Sequence, residues 1–350
     1  ALYDLTPPPK RFLTPRALCF GVHERAHADG AIAERPQPAQ LKRLAKTLRA
    51  AGVESIAICL LHAYQTPENE QAIAEALQGI GYISLSSEIC PEFREFERGS
   101  TTLLNSYVGP LMDRYLAALE AGSPHPVSIM QSNGGLLSAS DARRHAVRTV
   151  LSGPAGGVVG AFAIAREAGH TRALGFDMGG TSTDVSLCDG APRETVEAIV
   201  DGIPIRVPML DIHTVGAGGG SIARIDEGGL LRVGPESAGA DPGPACYGLG
   251  VKPTVTDAHV VLGRVTSFLG GQMPLDTERA AQAIDTIAHP LNLTRVQAAE
   301  GILKIANANM ERAIRAVSIE RGYDPRQFAL IAFGGCGGLH ACDIAAELNI

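Results

Sequence analysis

The sequence predicts an α/β protein in which strands and helices alternate along most of the chain. Short apolar runs of strand length recur, amphipathic segments of helix length lie between them, and several apolar runs end directly in glycine-rich loops. The composition agrees with this class, because 45% of the residues are hydrophobic and 40 of the 350 are glycine. We therefore expect open sheets covered by helices, with loops at the strand ends.

The first part of the chain is predicted to form an edge hairpin and linker followed by one α/β domain. Residues 1–40 contain a strand-like run at 17–22 and a polar, proline-containing connector. Residues 41–150 are predicted as the remainder of the first α/β domain. Its helices and strands are expected to alternate over residues 40–51, 55–61, 66–77, 82–86, 97–121 and 127–131.

Residues 151–350 are predicted as a second α/β domain. A small-residue helix is expected over 152–168, two strands joined by a tight turn over 174–187, and a strand ending near 215. The segment 234–250 is rich in proline and glycine and has no periodicity, which indicates a functional or interface loop. Two helices, a strand and the start of another helix follow, over residues 276–289, 294–321, 328–333 and from 340 to the end of the sequence.

The turn within 174–187 reads Asp-x-Gly-Gly-Thr-x-Thr-Asp and suits phosphate binding. Glycines let backbone N–H groups approach an anion, and hydroxyl side chains add donors. The predicted donors are Gly179, Gly180, Thr181, Ser182 and Thr183. Asp177 and Asp184 are hard oxygen ligands for magnesium and are the predicted catalytic residues. A plain glycine hairpin with incidental acids is the alternative, but the hydroxyls and the second aspartate favour phosphate.

Two more glycine-rich loops follow apolar strands, where open sheets bind their ligands. The predicted cofactor-binding residues in these loops are Gly216, Gly218, Gly219 and Gly220 in the first, and Gly334, Gly335, Gly337 and Gly338 in the second. If the three loops converge, they form a nucleotide cleft. The start of the helix at 152–157 is a further anion candidate, and tight helix packing is its equal alternative.

Several other polar residues allow two interpretations. Asp211 and His213 alternate on a strand and could share a metal, although a buried hydrogen-bonded pair is the favoured interpretation. His340 either contacts a ligand or packs, and Asp257 is predicted as a helix N-cap. Residues 92–102 are interpreted as a solvated turn and helix start, with Ser100 or Thr101 as an alternative hydroxyl contact.

Composition and missing motifs exclude several classes of function. A formal charge of −7 without a basic cluster argues against nucleic-acid binding. No apolar run approaches the roughly 20 residues that a membrane helix needs. Seven scattered cysteines indicate reduced thiols and a cytoplasmic protein. The motifs of P-loop ATPases, serine hydrolases and zinc proteases are missing from the sequence.

Five long motifs in order resemble the hydantoinase A family, which includes N-methylhydantoinase A subunits, 5-oxoprolinase and the ATP-binding subunits of acetone and acetophenone carboxylases. These motifs occupy residues 152–157, 176–184, 211–221, 234–248 and 333–341, and the resemblance covers essentially the whole chain. It implies an actin-like, ribonuclease H-like ATPase fold of two domains. Residues 177–184 would then be the second phosphate loop, and residues 334–338 the adenosine-side loop.

The sequence also departs from the family pattern. Family members carry a first phosphate loop that has no counterpart after Ala1, and they continue beyond His340. The sequence is therefore expected to be a central fragment of a longer protein, incomplete at both ends. Cys336 and Gly338 stand where alanine and proline are more usual.

The family implies ATP and Mg²⁺ as cofactors. The expected function is that of an ATP-dependent hydrolase subunit, which opens hydantoin, N-methylhydantoin or 5-oxoproline by phosphoryl activation. A hydantoinase B-type subunit is the expected partner, and a homodimer is possible. One alternative is the ATP-binding subunit of a ketone carboxylase. Another is a nucleotide-responsive binding module without turnover.

Overall fold

The computed structural model describes residues 13–200 and 202–350. It divides into two compact units. Unit 1 comprises the described residues within Ala1–Ser152 and Thr195–Met209, and unit 2 comprises Gly153–Glu194 and Leu210–Ile350. The division near residue 152 lies close to the predicted one at 150, but residues 195–209 return to unit 1.

Unit 1 is built on a two-stranded parallel sheet covered by helices. Its elements up to residue 144 are β1 (Arg25–Ala26), β2 (Ile32–Glu34), α1 (Pro38–Ala51), β3 (Ser55–Ile58), α2 (Glu68–Ala76), β4 (Tyr82–Leu85), α3 (Ser86–Ile89), α4 (Glu95–Gly122), β5 (Ser128–Met130), β6 (Leu136–Ser138) and α5 (Ala139–Arg144). Strands β3 and β4 run parallel, which agrees with the mostly apolar character of β3. Helix α1 ends at Gly52, which takes the left-handed conformation.

The edge hairpin of unit 1 is formed by other residues than those predicted. Residues 17–22 begin within a short 3₁₀ turn, Arg16–Leu18, and form no strand in the described part of the chain. The hairpin consists instead of β1 and β2, which pair antiparallel. Apolar residues at 17–22 were mistaken for a strand because a short apolar run does not reveal whether a partner strand is available.

A buried polar network fixes the carboxyl ends of β3 and β4. Arg98 of α4 is fully buried, and its Nε and Nη2 donate to Ser86 Oγ at 3.1 Å and to the Leu60 carbonyl at 2.7 Å. Glu70 of α2, also fully buried, accepts from Ser86 Oγ at 2.7 Å and from the Leu60 N–H at 2.9 Å. The interpretation of residues 92–102 as a solvated turn was therefore wrong for Arg98.

Unit 2 contains a four-stranded sheet with helices on both faces. The remaining elements of the chain are α6 (Ser152–Glu167), β7 (Arg172–Met178), β8 (Thr183–Asp189), β9 (Glu194–Val200), β10 (Ile203–Leu210), β11 (Ile212–Val215), β12 (Ser221–Ile225), β13 (Leu231–Ser237), α7 (Val255–Val261), β14 (Ser267–Phe268), β15 (Met273–Pro274), α8 (Thr277–Ala288), α9 (Arg295–Val317), β16 (Ala329–Phe333) and α10 (Gly334–Leu348). The strand order is β11-β8-β7-β16, in which β16 runs parallel to β7 and the other pairs are antiparallel.

The alternation of side chains along β7 assigns each residue to one face of this sheet. Leu174, Phe176 and Met178 enter the main core with α7, α9 and α10, whereas Ala173 packs with α6. Asp177 therefore lies on the α6 face. Within residues 13–200 and 202–350, no helix combines the length and the apolar character that crossing a membrane requires.

Candidate phosphate and magnesium site

Asp177 and Asp184 lie directly opposite each other at one end of β7 and β8. Both carboxylates are half-buried. Thr214, on the adjacent strand β11, donates its hydroxyl to Asp184 Oδ1 at 2.5 Å. Burial, and then the charge of Asp184, raise the pKa of Asp177 above the usual range of an aspartate. Two carboxylates in this arrangement repel each other, and a bound cation would relieve that repulsion.

The turn between the two aspartates has its carbonyl groups fixed by the loop at residues 216–220. Gly219 N–H donates to the Gly179 carbonyl at 3.0 Å, and Gly220 N–H donates to the Gly180 carbonyl at 2.6 Å. A planar trans peptide places each carbonyl opposite the N–H of the next residue. The N–H groups of Gly180 and Thr181 therefore point away from this loop.

These outward N–H groups remain available to a ligand. Among the described residues, no acceptor is bonded to the N–H groups of Gly180, Thr181 or Ser182, nor to the hydroxyls of Thr181 and Ser182. Gly179 N–H instead closes the turn by donating to the Ser182 carbonyl at 3.0 Å. Adjacent backbone N–H groups and hydroxyls aimed to one side form an anion-binding concavity.

Thr183 differs from the other predicted donors of this turn. Its side chain is fully buried, and its hydroxyl donates to the Ala217 carbonyl at 2.6 Å. The hydroxyl therefore ties the start of β8 to the 216–220 loop, and the structure does not support a direct phosphate contact. Strand alternation alone could not reveal this, because Ala217 is far away in sequence.

The glycines of the 216–220 loop support the turn rather than offering free donors. The N–H groups of Gly218, Gly219 and Gly220 all donate within the protein, the first of them to Ser221 Oγ at 2.9 Å. A Cβ on Gly218 would lie 2.7 Å from the Gly180 carbonyl oxygen, and one on Gly220 would lie 2.9 Å from it. Gly216 packs beside Pro235. Gly218 and Gly220 therefore let the backbone of this loop approach the backbone of the turn.

Residues 334–338, predicted as a loop, form the first turn and a half of α10. Phe333 precedes the helix and supplies no side-chain cap, so the first N–H groups are open to an anion. Gly334 has φ 80°. A Cβ there would overlap Asp177 Oδ1, and one on Gly157 of α6 would lie 3.5 Å from Asp177 Oδ2. The glycine-rich starts of α6 and α10 therefore border the Asp177 carboxylate.

The residues at this site fit a magnesium ion that arrives with a nucleotide. In the described part of the chain, no group of three or more His, Cys, Asp or Glu residues is arranged to hold a metal alone. Mg²⁺ commonly takes one or two protein carboxylates and completes its shell with phosphate oxygens and water. Asp177 and Asp184 supply the carboxylates, and the adjacent turn supplies donors for the phosphate.

Asp211 and His213, the second candidate pair of metal ligands, do not lie together with Asp177 and Asp184. Asp211 forms ion pairs with Arg321 and with Arg193, whose Nε lies 3.3 Å from Asp211 Oδ2. His213 is paired with Val185, one position along β8 from Asp184, and so lies on the other face of the sheet from Asp177 and Asp184. A structural role for Asp211 replaces the metal hypothesis, because two guanidinium groups already neutralise it.

Two of the remaining predictions are also corrected. Thr254, not Asp257, is the N-cap of α7, and Asp257 is the third residue of a capping box. The Asp257 carboxylate also accepts from the Cys246 N–H at 2.8 Å. Ser100 and Thr101 donate their hydroxyls to the carbonyls of Pro204 and Glu97. All three residues serve the fold.

His340 is a buried residue within α10. Its Nε2 lies 3.0 Å from Nε2 of His259 on α7, and its Nδ1 lies 2.6 Å from Asn307 Oδ1 on α9. Burial lowers the pKa of His259 to about 3 and that of His340 to about 4. Both imidazoles are therefore neutral at pH 7, and the packing interpretation of His340 is the one that the geometry supports.

Comparison with known proteins places the chain in a family. The model of the hydantoinase/oxoprolinase family matches residues 98–350, and that of the hydantoinase/oxoprolinase N-terminal region matches residues 1–81. The chain therefore belongs to the hydantoinase/oxoprolinase family, which confirms the resemblance found in its motifs.

Its relatives include named enzymes and enzyme subunits. The chain is 40% identical to caprolactamase subunit alpha of Pseudomonas jessenii, over 99% of the chain and 52% of that protein. It is 38% identical to 5-oxoprolinase of Saccharomyces cerevisiae, over 91% of the chain and 26% of that protein. It is 34% identical to the acetophenone carboxylase gamma subunit of Aromatoleum aromaticum, over 96% of the chain and 48% of that protein.

Solved structures agree with this family and with a mixed α/β fold. The crystal structure of ATP-dependent caprolactamase from Pseudomonas jessenii matches with a TM-score of 0.83 and 39% identity, over 99% of the chain and 52% of the solved one. Nucleotide-free acetone carboxylase matches with a TM-score of 0.81 and 30% identity, over 97% and 50%. The chain thus spans about half the length, or less, of these relatives.

Proposed function

We propose that unit 2 is the actin-like phosphate-binding part of an ATP-dependent hydrolase subunit that opens a cyclic amide. One observation carries the proposal: the carbonyls of Gly179 and Gly180 are bound by Gly219 and Gly220. That contact directs two backbone N–H groups to the side where the turn is open. Membership of a family with ATP-dependent lactam hydrolases supports the same function.

The chemical reason for using ATP is the stability of an unstrained amide. Transfer of the γ-phosphoryl group to the amide oxygen, with release of ADP, activates the carbonyl carbon. Water then adds to that carbon, the C–N bond breaks as the nitrogen takes a proton, and the ring-opened acyl phosphate is hydrolysed to the carboxylate and inorganic phosphate. Mg²⁺, when bound, neutralises charge on the phosphates. Asp177 and Asp184 would hold it, and the N–H groups of Gly180 and Thr181 would orient the phosphate oxygens.

The proposed substrate is a lactam such as caprolactam, 5-oxoproline or a hydantoin. Identity is higher to the caprolactamase subunit, at 40%, than to the acetophenone carboxylase subunit, at 34%, which favours amide hydrolysis over ketone carboxylation. Two of these relatives are named as subunits, so we propose that a hydantoinase B-type partner supplies the remaining hydrolytic groups. We further propose a cytoplasmic location.

Substrate-stimulated ATP hydrolysis tests this function. The protein, combined with its partner subunit, is assayed for ADP release with caprolactam, 5-oxoproline, hydantoin and N-methylhydantoin, and separately with acetone or acetophenone plus bicarbonate. Stimulation by a cyclic amide, with stoichiometric ring opening, is the expected result. Stimulation only by a ketone would replace the hydrolase with a carboxylase. Nucleotide binding without turnover under any condition would leave a binding module.

The substitution Asp177→Asn tests the site itself. We expect kcat for ATP hydrolysis to fall by at least about 100-fold, because the proposed magnesium site loses one of its two carboxylates and, with it, charge stabilisation of the transferring phosphoryl group. The matched control is Asp189→Asn, at the other end of β8, where the carboxylate is exposed and paired with Arg172. Equal turnover in the two variants would exclude Asp177 from the reaction.

A further inference from the structure

One cavity in unit 2 has a cationic lining. It has a volume of about 540 Å³ and lies between the β12–β13 hairpin and α9, beside Gly216. Arg224, Arg232 and Arg312 line it, and no carboxylate does. The protein as a whole carries a formal charge of −7, so this local excess of positive charge runs against the average surface.

Two of these arginines oppose each other within the hairpin. Arg224 on β12 and Arg232 on β13 are direct cross-strand partners, so their side chains lie on the same face of the hairpin. Like charges at such a position destabilise a strand pair. Asp226 binds Arg232 Nε at 2.8 Å and offsets one of the two charges. Arg224 keeps its charge uncompensated.

Neutral acceptors hold the other guanidinium groups in place. Arg224 Nη1 donates to the Gly234 carbonyl at 3.0 Å. Arg312 on α9 donates to Asn309 Oδ1, and Asn309 in turn donates to the Val233 carbonyl at 3.3 Å. In the described part of the chain, no carboxylate lies within 4.0 Å of the Arg224 or Arg312 side-chain nitrogens. Both side chains are therefore oriented without being neutralised.

We propose that this cavity binds a small organic phosphate. A guanidinium group presents several N–H donors in a plane and matches a phosphate better than other side chains do. The cavity is also bordered by the apolar residues Val215 and Ile305, which suit an uncharged part of the ligand. Its volume lies within the usual range of about 300–1,000 Å³ for small-molecule sites.

This site is separate from the proposed ATP site. Val215 contributes to the main core, on the α9 face of the sheet, whereas Asp177 lies on the α6 face. The 216–220 loop nevertheless connects the two places, because Gly216 lines the cavity and Gly219 and Gly220 hold the Asp177–Asp184 turn. A ligand in the cavity would thus sit at the base of the loop that shapes the turn.

Calorimetric titration with phenyl phosphate, at constant ionic strength, tests the proposal. We expect saturable binding to the unaltered protein, and phenol at the same concentrations should not bind. The double variant Arg224→Gln with Arg312→Gln should bind at least about tenfold more weakly, because two charge-assisted contacts are lost. Arg326→Gln, an exposed arginine paired with Asp324, is the control of equal charge change and should bind normally.

Two further measurements distinguish binding in this cavity from effects on folding and from binding at the proposed ATP site. Asp177→Asn should leave phenyl phosphate binding unchanged, and loss of binding there would assign the ligand to the turn. Arg224→Gln alone should not lower the melting temperature, because it removes a like-charge pair. If the double variant fails to fold, phenyl phosphate binding by the single variant Arg312→Gln tests the proposal, and unchanged binding would contradict it. Absence of saturable binding, or equal weakening in Arg326→Gln, would overturn the proposal.

Discussion

Gly218 affects the candidate phosphate site because it has no side chain, although it offers no free donor to a ligand. Its Cα faces the backbone of Gly180 and Thr181, which cannot move aside as a flexible side chain could. The local sequence marks it only as one glycine among several. Its need for close backbone approach depends on a strand pairing between residues that are 26 to 32 positions apart, which no local pattern contains.

The substitution Gly218→Ala should therefore impair nucleotide binding. The new Cβ would lie 2.7 Å from backbone atoms of Gly180 and Thr181, so the turn must shift and its N–H groups lose their direction. We expect at least about tenfold weaker ATP binding and a loss of roughly 1–3 kcal/mol of unfolding free energy. Calorimetry and chemical denaturation measure these two quantities.

Gly160→Ala is the matched control for this substitution. Gly160 lies on the exposed side of α6 with open space around it, and alanine favours a helix over glycine by about 1 kcal/mol. We expect equal or higher stability and unchanged ATP affinity. An ATP affinity in Gly218→Ala equal to that of Gly160→Ala would refute the supporting role of the 216–220 loop.

At the scale of elements, three helices of unit 2 meet at one neutral imidazole pair. His259 of α7 contacts His340 of α10, and Asn307 of α9 contacts the other ring nitrogen of His340. If Asn307 Oδ1 accepts from His340 Nδ1, then His259 Nε2 donates to His340, and His259 Nδ1 is a buried acceptor. That atom has no protein partner among the described residues.

This pair predicts a pH-dependent stability. Both folded-state pKa values, about 3 and about 4, lie below the unfolded value of about 6.5. The unfolded state therefore binds more protons below pH 6.5. Stability is full above that pH and falls as the pH approaches the folded values, by at most about 1.4 kcal/mol per pH unit for each histidine.

Urea denaturation between pH 7.5 and 5.0 measures this dependence. The variant His259→Leu removes one titrating group, so its stability should fall less steeply with decreasing pH. His170→Gln, in an exposed turn after α6, is the control and should follow the unaltered protein. Identical slopes in all three proteins would show that the pair does not titrate on unfolding.

Elements with local signals were predictable, whereas those that depend on distant partners were not. The β7–β8 turn was correctly located because its aspartates, glycines and hydroxyls are contiguous. Thr214 was missed, since only strand register places it beside Asp184. Residues 334–338 were misread as a loop because glycine usually ends helices, yet here glycines begin α10, and a side chain at Gly334 would collide with Asp177.

At the scale of the whole molecule, each unit has its own core and its own polar centre. In unit 1 that centre is the network of Glu70, Ser86 and Arg98, which the sequence did not reveal because buried arginines are rare. The Arg98 guanidinium holds three acceptors in different directions, among them the Leu60 and Glu92 carbonyls. Lysine cannot reproduce that planar arrangement.

Arg98→Lys should therefore destabilise unit 1 by roughly 1–3 kcal/mol, because buried carbonyl groups lose their partners. Hydrogen exchange followed by mass spectrometry should show faster exchange in β3, β4 and α4, with unchanged exchange in β7 and β8. The control Arg94→Lys alters an exposed arginine paired with Glu97 and Glu197. Equal exchange in the two variants would show that the network does not stabilise these strands.

Because the proposed phosphate donors of the β7–β8 turn are largely backbone N–H groups, mutational scanning should show an unusual pattern. Two of the proposed phosphate donors are the N–H groups of Gly180 and Thr181, and replacement of the Thr181 side chain leaves both N–H groups in place. Replacement at Gly218 or Gly220, which offer the ligand no free donor, introduces a collision with Gly180. A scan scored on activity would thus find sensitive positions at Gly218 and Gly220, one loop away from the proposed phosphate position, as well as at Asp177 and Asp184.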